Sequence, residues 1–190
     1  MKEEKMKNLM QEMKNCKRCG LWKSRTNVVP GEGSINAEIM FIGEGPGYWE
    51  DQKGRPFVGR AGKVLDELLE FIGLKREEIY IANILKCRPP ENRNPEKEEI
   101  KACTPYLEAQ ISIINPKIIA PLGKFAMEFI FEKFGLGERK ISEVHGKVFE
   151  INTINGKIKI IPLYHPAVAV YNSNKIGLLK EDFGKLGLRK

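Results

Sequence analysis

Apolar residues come in short blocks along this chain, and the blocks alternate between two periods. Met6, Leu9, Met10 and Met13 fall at helical spacing and predict a short amphipathic helix over residues 3–14, with a core-facing Met stripe. Residues 20–37 carry no such period and read as a loop turning at Pro30-Gly31. Ile39 to Ile42 is uninterrupted and apolar, which predicts a buried strand over 38–43. From about Ala61 the helical period returns with Val64, Leu65, Leu68, Leu69 and Ile72. Ile79 to Leu85 predicts a second strand. Asn94-Pro95-Glu96 reads as a helix start, with a cap residue, Pro at the first position and an acid in the first turn. That helix runs to about Ile114, and Pro105 is the place where it would break or restart. Lys117 to Leu122 is a third strand, and Gly123 to Phe134 a helix. Val148–Asn152 and Ile158–Leu163 alternate around Asn155-Gly156, a strong hairpin signal. Residues 174–186 close the chain as a helix.

The order β-α-β-α-β-α-β-β-α predicts parallel strands joined by right-handed crossovers. The expected architecture is an α/β fold: three layers, α/β/α, around a central, mostly parallel four-stranded sheet with one antiparallel edge strand. One domain over residues 1–190 suits this length.

Between the first strand and its helix the chain spends an unusual number of polar and glycine residues. Gly43-Glu44-Gly45-Pro46-Gly47 is followed by Glu50, Asp51, Arg55, Phe57 and Arg60. An ordinary βα connection is shorter than this. A glycine-rich loop at the carboxyl end of a strand is where open α/β sheets build ligand sites. Asn83 ends the second strand, an odd residue in an apolar run, and His165 follows the last strand. If these strands are parallel, Glu44, Gly45, Asn83 and His165 meet at one rim of the sheet.

Composition adds three constraints. The chain carries 32 Lys and Arg against 25 Asp and Glu, a net charge of +7, and its pI of about 9.2 suits a polyanionic partner. These charges are spread along the chain and identify no partner by themselves. Met1 to Lys14 is charged throughout and no apolar stretch approaches 18 residues, so a soluble, intracellular protein without membrane association is expected. Cys16, Cys19, Cys87 and Cys103 form C-x2-C and a wider second pair. In a reducing compartment this favours a metal site over disulfides. On spacing alone structural zinc ranks ahead of an iron–sulfur cluster, and buried, unconnected thiols are the bland alternative.

Taken in order, Gly43-Glu44-Gly45-Pro46-Gly47, Glu50-Asp51, Gly54-Arg55-Pro56-Phe57-Val58-Gly59, Asn83, Lys86-Cys87-Arg88-Pro89-Pro90 ahead of Asn92-Arg93, and His165-Pro166-Ala167 resemble the family 4 (iron–sulfur) uracil-DNA glycosylases. The resemblance runs from Cys16 to the closing helix. It implies removal of uracil from single- or double-stranded DNA, leaving an abasic site, and a [4Fe–4S] cluster held by the four cysteines. It implies a uracil pocket of Glu44, Gly45, Glu50, Phe57, Asn83 and His165. Asn83 would pair with O4 and N3–H, and Phe57 would stack on the flipped ring. Backbone N–H groups at Glu44 and Gly45 would approach O2, and His165 would donate toward it as uracil departs. Glu50 would lie against C5 and exclude thymine. Gly45 stands where better-known superfamily members carry a water-positioning aspartate, so Glu44, Glu50 and Asp51 are the candidates for that task. DNA contacts are expected from Arg55, Arg60, Arg88, Arg93 and the segment from Pro166 and Ala167 to Tyr171. A monomer in the cytoplasm, with a sliding clamp as a candidate partner, completes the expectation. The alternatives are an iron–sulfur electron carrier and a metal-stabilised DNA-binding module without chemistry.

Overall fold

In a computed structural model, residues 1–187 are described. The strands are β1 (Glu32–Gly33), β2 (Ile39–Gly43), β3 (Tyr80–Asn83), β4 (Ile118–Pro121), β5 (Phe149–Thr153) and β6 (Gly156–Ile160). The helices are α1 (Lys2–Lys14), α2 (Tyr48–Lys53), α3 (Arg60–Phe71), α4 (Lys97–Ile114), α5 (Lys124–Lys133), α6 (Ile141–Val144), α7 (Ala167–Tyr171) and α8 (Ile176–Gly184). The sheet order is β1-β3-β2-β4-β6-β5. β3, β2, β4 and β6 run parallel, and β1 and β5 are antiparallel edges.

The four-strand expectation therefore describes the parallel centre of a six-stranded sheet. The added edge, β1, lies inside the segment read as loop, and two residues are too few to show a period. Tyr48–Lys53 likewise forms a helix inside the expected glycine-rich loop. Helix α4 starts later than Asn94: Glu96 is its cap, and Glu99 reaches back to the Glu96 N–H at 2.9 Å. Pro105 sits inside α4 without ending it. Its side is exposed, as is Lys101 one turn earlier, so water can serve the carbonyl that proline leaves unpaired.

The strands alternate strictly. Met40 and Ile42 of β2 and Tyr80 and Ala82 of β3 face a core closed by α1, α4 and α5. Ile39 and Phe41, with Ile79 and Ile81, face a second core closed by α3 and α8. The layers thus come from period-2 strands covered by one apolar stripe of each helix. Parallel pairing sets Gly43 beside Asn83. A bridge from Leu122 to Leu163 prolongs the same rim to His165. The glycine-rich loop, Asn83 and the His165 segment accordingly share one end of the sheet.

Candidate active site

That end opens into a cleft of about 520 Å³ lined by Glu44, Gly45, Glu50, Phe57, Asn83 and His165 among others. The floor depends on a missing side chain. A Cβ at Gly43 would lie 2.7 Å from the Phe57 ring and would overlap Asn83 Oδ1. Asn83 is 2% exposed, and its Oδ1 is buried without a hydrogen-bond partner among the described residues. Buried amide oxygens are rarely left so, and an acceptor in this position is one that a ligand would satisfy.

Phe57 is held in place by its backbone. Its φ of 50° lies in the left-handed region, which a bulky residue rarely adopts. Arg76 donates to the Phe57 carbonyl. Glu50 Oε1 accepts from the N–H groups of Val58 and Gly59 at 3.0 and 2.9 Å. These contacts fix the strained turn and leave the ring stacked on the His165 imidazole, centroids 5.5 Å apart.

The His165 imidazole is neutral at pH 7. Burial pushes its pKa down to about 4, against the opposing charge of Glu50. Its Nδ1 accepts from the Ala167 N–H at 3.1 Å. With Nδ1 occupied as an acceptor, the ring proton resides on Nε2. Glu44 is the other perturbed group. Burial, reinforced by Glu128 and opposed by Lys124, raises its carboxyl to about 7. The carboxyl lies against Gly123, where a Cβ would overlap Glu44 Oε1 and stand 3.2 Å from His165 Cβ. Gly123, at φ 90°, was not singled out in the sequence, yet it makes room for both groups.

Asp51 is not in the cleft. It is 2% exposed, and its Oδ1 accepts from the N–H groups of Thr26 and Asn27 at 2.9 and 3.3 Å. Its expected role as a water-activating group is corrected to that of an anchor for residues 26–27. Among the described residues it makes no ion pair with Arg55, which faces Glu32, or with Arg60. The arginines also separate. Arg55 makes two bonds to Glu32, at 2.8 and 3.1 Å. Arg93 grips Glu99 at 2.6 and 3.0 Å. Arg60 is exposed on the cleft with no ion pair among the described residues. Arg88 donates to the neutral Asn92 at 2.8 Å and has no ion pair among the described residues. Ala167 lines the cleft, and Pro166 caps α7 beside it.

The four cysteines line one small cavity with Arg25 and Lys86, and all four are free thiols. Sulfur is well supplied with donors: Arg25 Nη1 reaches Cys87 Sγ at 3.3 Å, and the Lys86 N–H reaches Cys103 Sγ at 3.2 Å. No three of the described thiol, imidazole or carboxylate groups stand close enough to share a single ion. A four-thiol donor set around one cavity suits a soft metal ion or an iron–sulfur cluster.

Lys86, which the sequence offers only as part of the motif around Cys87, is fully buried between the two sites. Its Nζ donates to the Asn83 carbonyl at 2.8 Å and to Gln110 Oε1 at 2.7 Å. Gln110 in turn donates to the Pro30 carbonyl and to the Tyr80 hydroxyl. The signal available was a lysine wedged between an apolar strand and a cysteine.

The uracil DNA glycosylase superfamily model matches residues 30–186. The chain is 49% identical over 184 residues to the type-4 uracil-DNA glycosylase of Sulfurisphaera tokodaii, covering 96% of this chain and 84% of that protein. It is 48% identical to the type-4 uracil-DNA glycosylase of Archaeoglobus fulgidus, covering 97% and 92%. Identity to that of Thermotoga maritima is 46%, covering 97% and 94%.

Proposed function

The chain belongs to the type-4 uracil-DNA glycosylases, and on that footing we propose that it flips uracil out of DNA and hydrolyses its N-glycosidic bond. The observation that carries the reading of the site is the unpaired, buried Asn83 Oδ1 on a cleft shared with Phe57 and a neutral His165. A base must leave the stack before its sugar bond is reached. Asn83 Oδ1 then accepts from uracil N3–H while its amide nitrogen donates to O4. Cytosine offers no N3 proton and presents an amine in place of O4, so both contacts fail. Glu50 is committed to two backbone N–H groups and braces the turn that carries Phe57. A carboxylate fixed there also occupies the space that thymine's methyl would need.

As the bond breaks, uracil carries the electrons away as an anion. His165 Nε2–H donates toward its O2, and a ring already neutral loses no charge in doing so. The sugar becomes oxocarbenium-like and is attacked by water. Glu44 is the group placed to take that water's proton, since a carboxyl near 7 is a competent base at neutral pH. Cys16, Cys19, Cys87 and Cys103 would hold a [4Fe–4S] cluster, whose contribution when bound is structural. It would tie the end of α1 to the loop after β3 and to α4. A single domain lining the whole cleft works as a monomer; a sliding clamp would bind elsewhere on it. No helix among the described residues is long and apolar enough to cross a membrane.

Single-turnover release of uracil from a uracil oligonucleotide tests the proposal. Wild type should cut uracil and spare cytosine and thymine. Asn83→Asp should lose most uracil excision and gain on cytosine, and His165→Ala should slow the chemical step more than it weakens binding. Excision by both variants at the wild-type rate would place the pocket elsewhere.

A further inference from the structure

Two large aromatic side chains stand open at the rim of the cleft. Tyr48 and Trp49 begin α2 and are 49% and 54% exposed. Both line the cleft, and they meet edge to face with centroids 5.1 Å apart. Neither the Tyr48 hydroxyl nor the Trp49 indole N–H makes a hydrogen bond among the described residues, so the pair is not held there by polar contacts. Cations surround it. The Arg88 guanidinium lies 5.3 Å from the Tyr48 ring, and the Lys53 ammonium 5.9 Å from the Trp49 ring. Arg60 opens onto the same cleft. The support beneath is rigid: Asp51 and Glu50, the next two residues, are fastened to residues 26–27 and 58–59.

We propose that Tyr48 and Trp49 form a stacking platform for an unpaired nucleobase adjacent, on the same strand, to the uracil in the cleft. The inference rests on the proposed reading of that cleft. Aromatic faces accept any base, and flanking cations meet the phosphates on either side of it. A rigid platform takes the base with little ordering cost. In a duplex the neighbours of a flipped base remain stacked on their own strands. Only a single strand is free to turn the neighbouring base outward to the rim. The platform therefore adds affinity for single-stranded substrate in particular, and it acts on any sequence.

The test compares binding of single-stranded and duplex uracil oligonucleotides of one sequence by wild type, Trp49→Ala and Trp49→Phe. Base–aromatic stacking spans roughly 5- to 150-fold in affinity. Trp49→Ala should lose roughly tenfold on the single strand and less on the duplex. Trp49→Phe should keep most of the wild-type affinity. The slope of log Kd against log salt should stay the same, because no phosphate contact is removed. Replacing the bases beside uracil with abasic positions should weaken wild type at least to the level of Trp49→Ala and remove the difference in affinity between the two proteins. Equal binding by wild type and Trp49→Ala, an equal loss on both substrates, or a loss that persists with abasic neighbours would each overturn the platform. Uracil release by wild type is measured alongside. If it occurs while the platform outcomes fail, the platform alone is wrong; if no uracil is released, the cleft reading and the platform fall together.

Discussion

Replacing Glu44 with Gln keeps the shape of the side chain and removes its titration, which makes it the sharpest probe of the site. The native carboxyl is raised from 4.5 to about 7. Between its protonated and ionised forms that amounts to roughly 3 kcal/mol, and contact with cleft water reduces it to about 1–2 kcal/mol. Below pH 4.5 the group is protonated in both folded and unfolded chains and contributes no pH dependence. Between 4.5 and 7 the unfolded chain ionises while the native chain keeps its proton. The native state then binds more protons, and stability falls as pH rises. Above 7 the cost is constant. Glu44→Gln escapes this cost, so its stability advantage over wild type should grow from pH 4.5 to 7 and then level off. His165 contributes the opposite trend between about 4 and 6.5, but it does so in both proteins and cancels in the difference. Chemical denaturation at a series of pH values measures this. Single-turnover excision supplies the second reading: in wild type the rate should climb with pH through about 7, and in Glu44→Gln that limb should flatten at a reduced rate. A stability difference independent of pH would show that the carboxyl is not held protonated. An unchanged pH–rate profile would remove Glu44 from water activation.

Gly43→Ala should cost about 1–3 kcal/mol through overpacking and should weaken uracil binding as well, because the new methyl meets Phe57 and Asn83 together; denaturation midpoints and uracil inhibition constants read the two effects. Arg60→Ala and Arg88→Ala should each reduce the salt slope of DNA binding by about one, whereas Arg55→Ala and Arg93→Ala, whose charges already face Glu32 and Glu99, should change it less. Replacing any one of the four cysteines with Ser should lower bound iron and sulfide and depress the melting temperature; purified wild-type protein with neither iron nor sulfide would overturn the cluster assignment.

Much of this molecule can be read from local pattern. β2, β3 and β4 are short apolar runs between helices, and parallel pairing alone brings Glu44, Asn83 and His165 to one rim. Asn83 stands out because its neighbours from Ile81 to Leu85 are apolar. What escaped the pattern depends on pairs distant in the chain. Arg55 reads as a free cation until Glu32, 23 residues away, folds against it. Asp51 reads as a candidate for activating water until the N–H groups of Thr26 and Asn27 claim it. Lys86 is a charged residue buried among apolar neighbours, and the hydrogen bonds to the Asn83 carbonyl and the Gln110 amide oxygen offset the cost of its burial. The edge strand β1 and helix α2 are too short for periodicity to register.

Asn83 and Cys87 are four residues apart, so at most about 14 Å of chain separates the Asn83 amide from the cysteine cavity. Lys86, next to Cys87, ties that stretch back to the Asn83 carbonyl. An insertion or deletion there would shift both ends at once, and no compensating change in one could restore the other. Elsewhere the chain is lenient: at the β5–β6 turn Ile154 is fully exposed, and added residues would touch nothing. Descendants of this sequence are therefore free to vary in length at the hairpin and bound to a fixed count between Asn83 and Cys87.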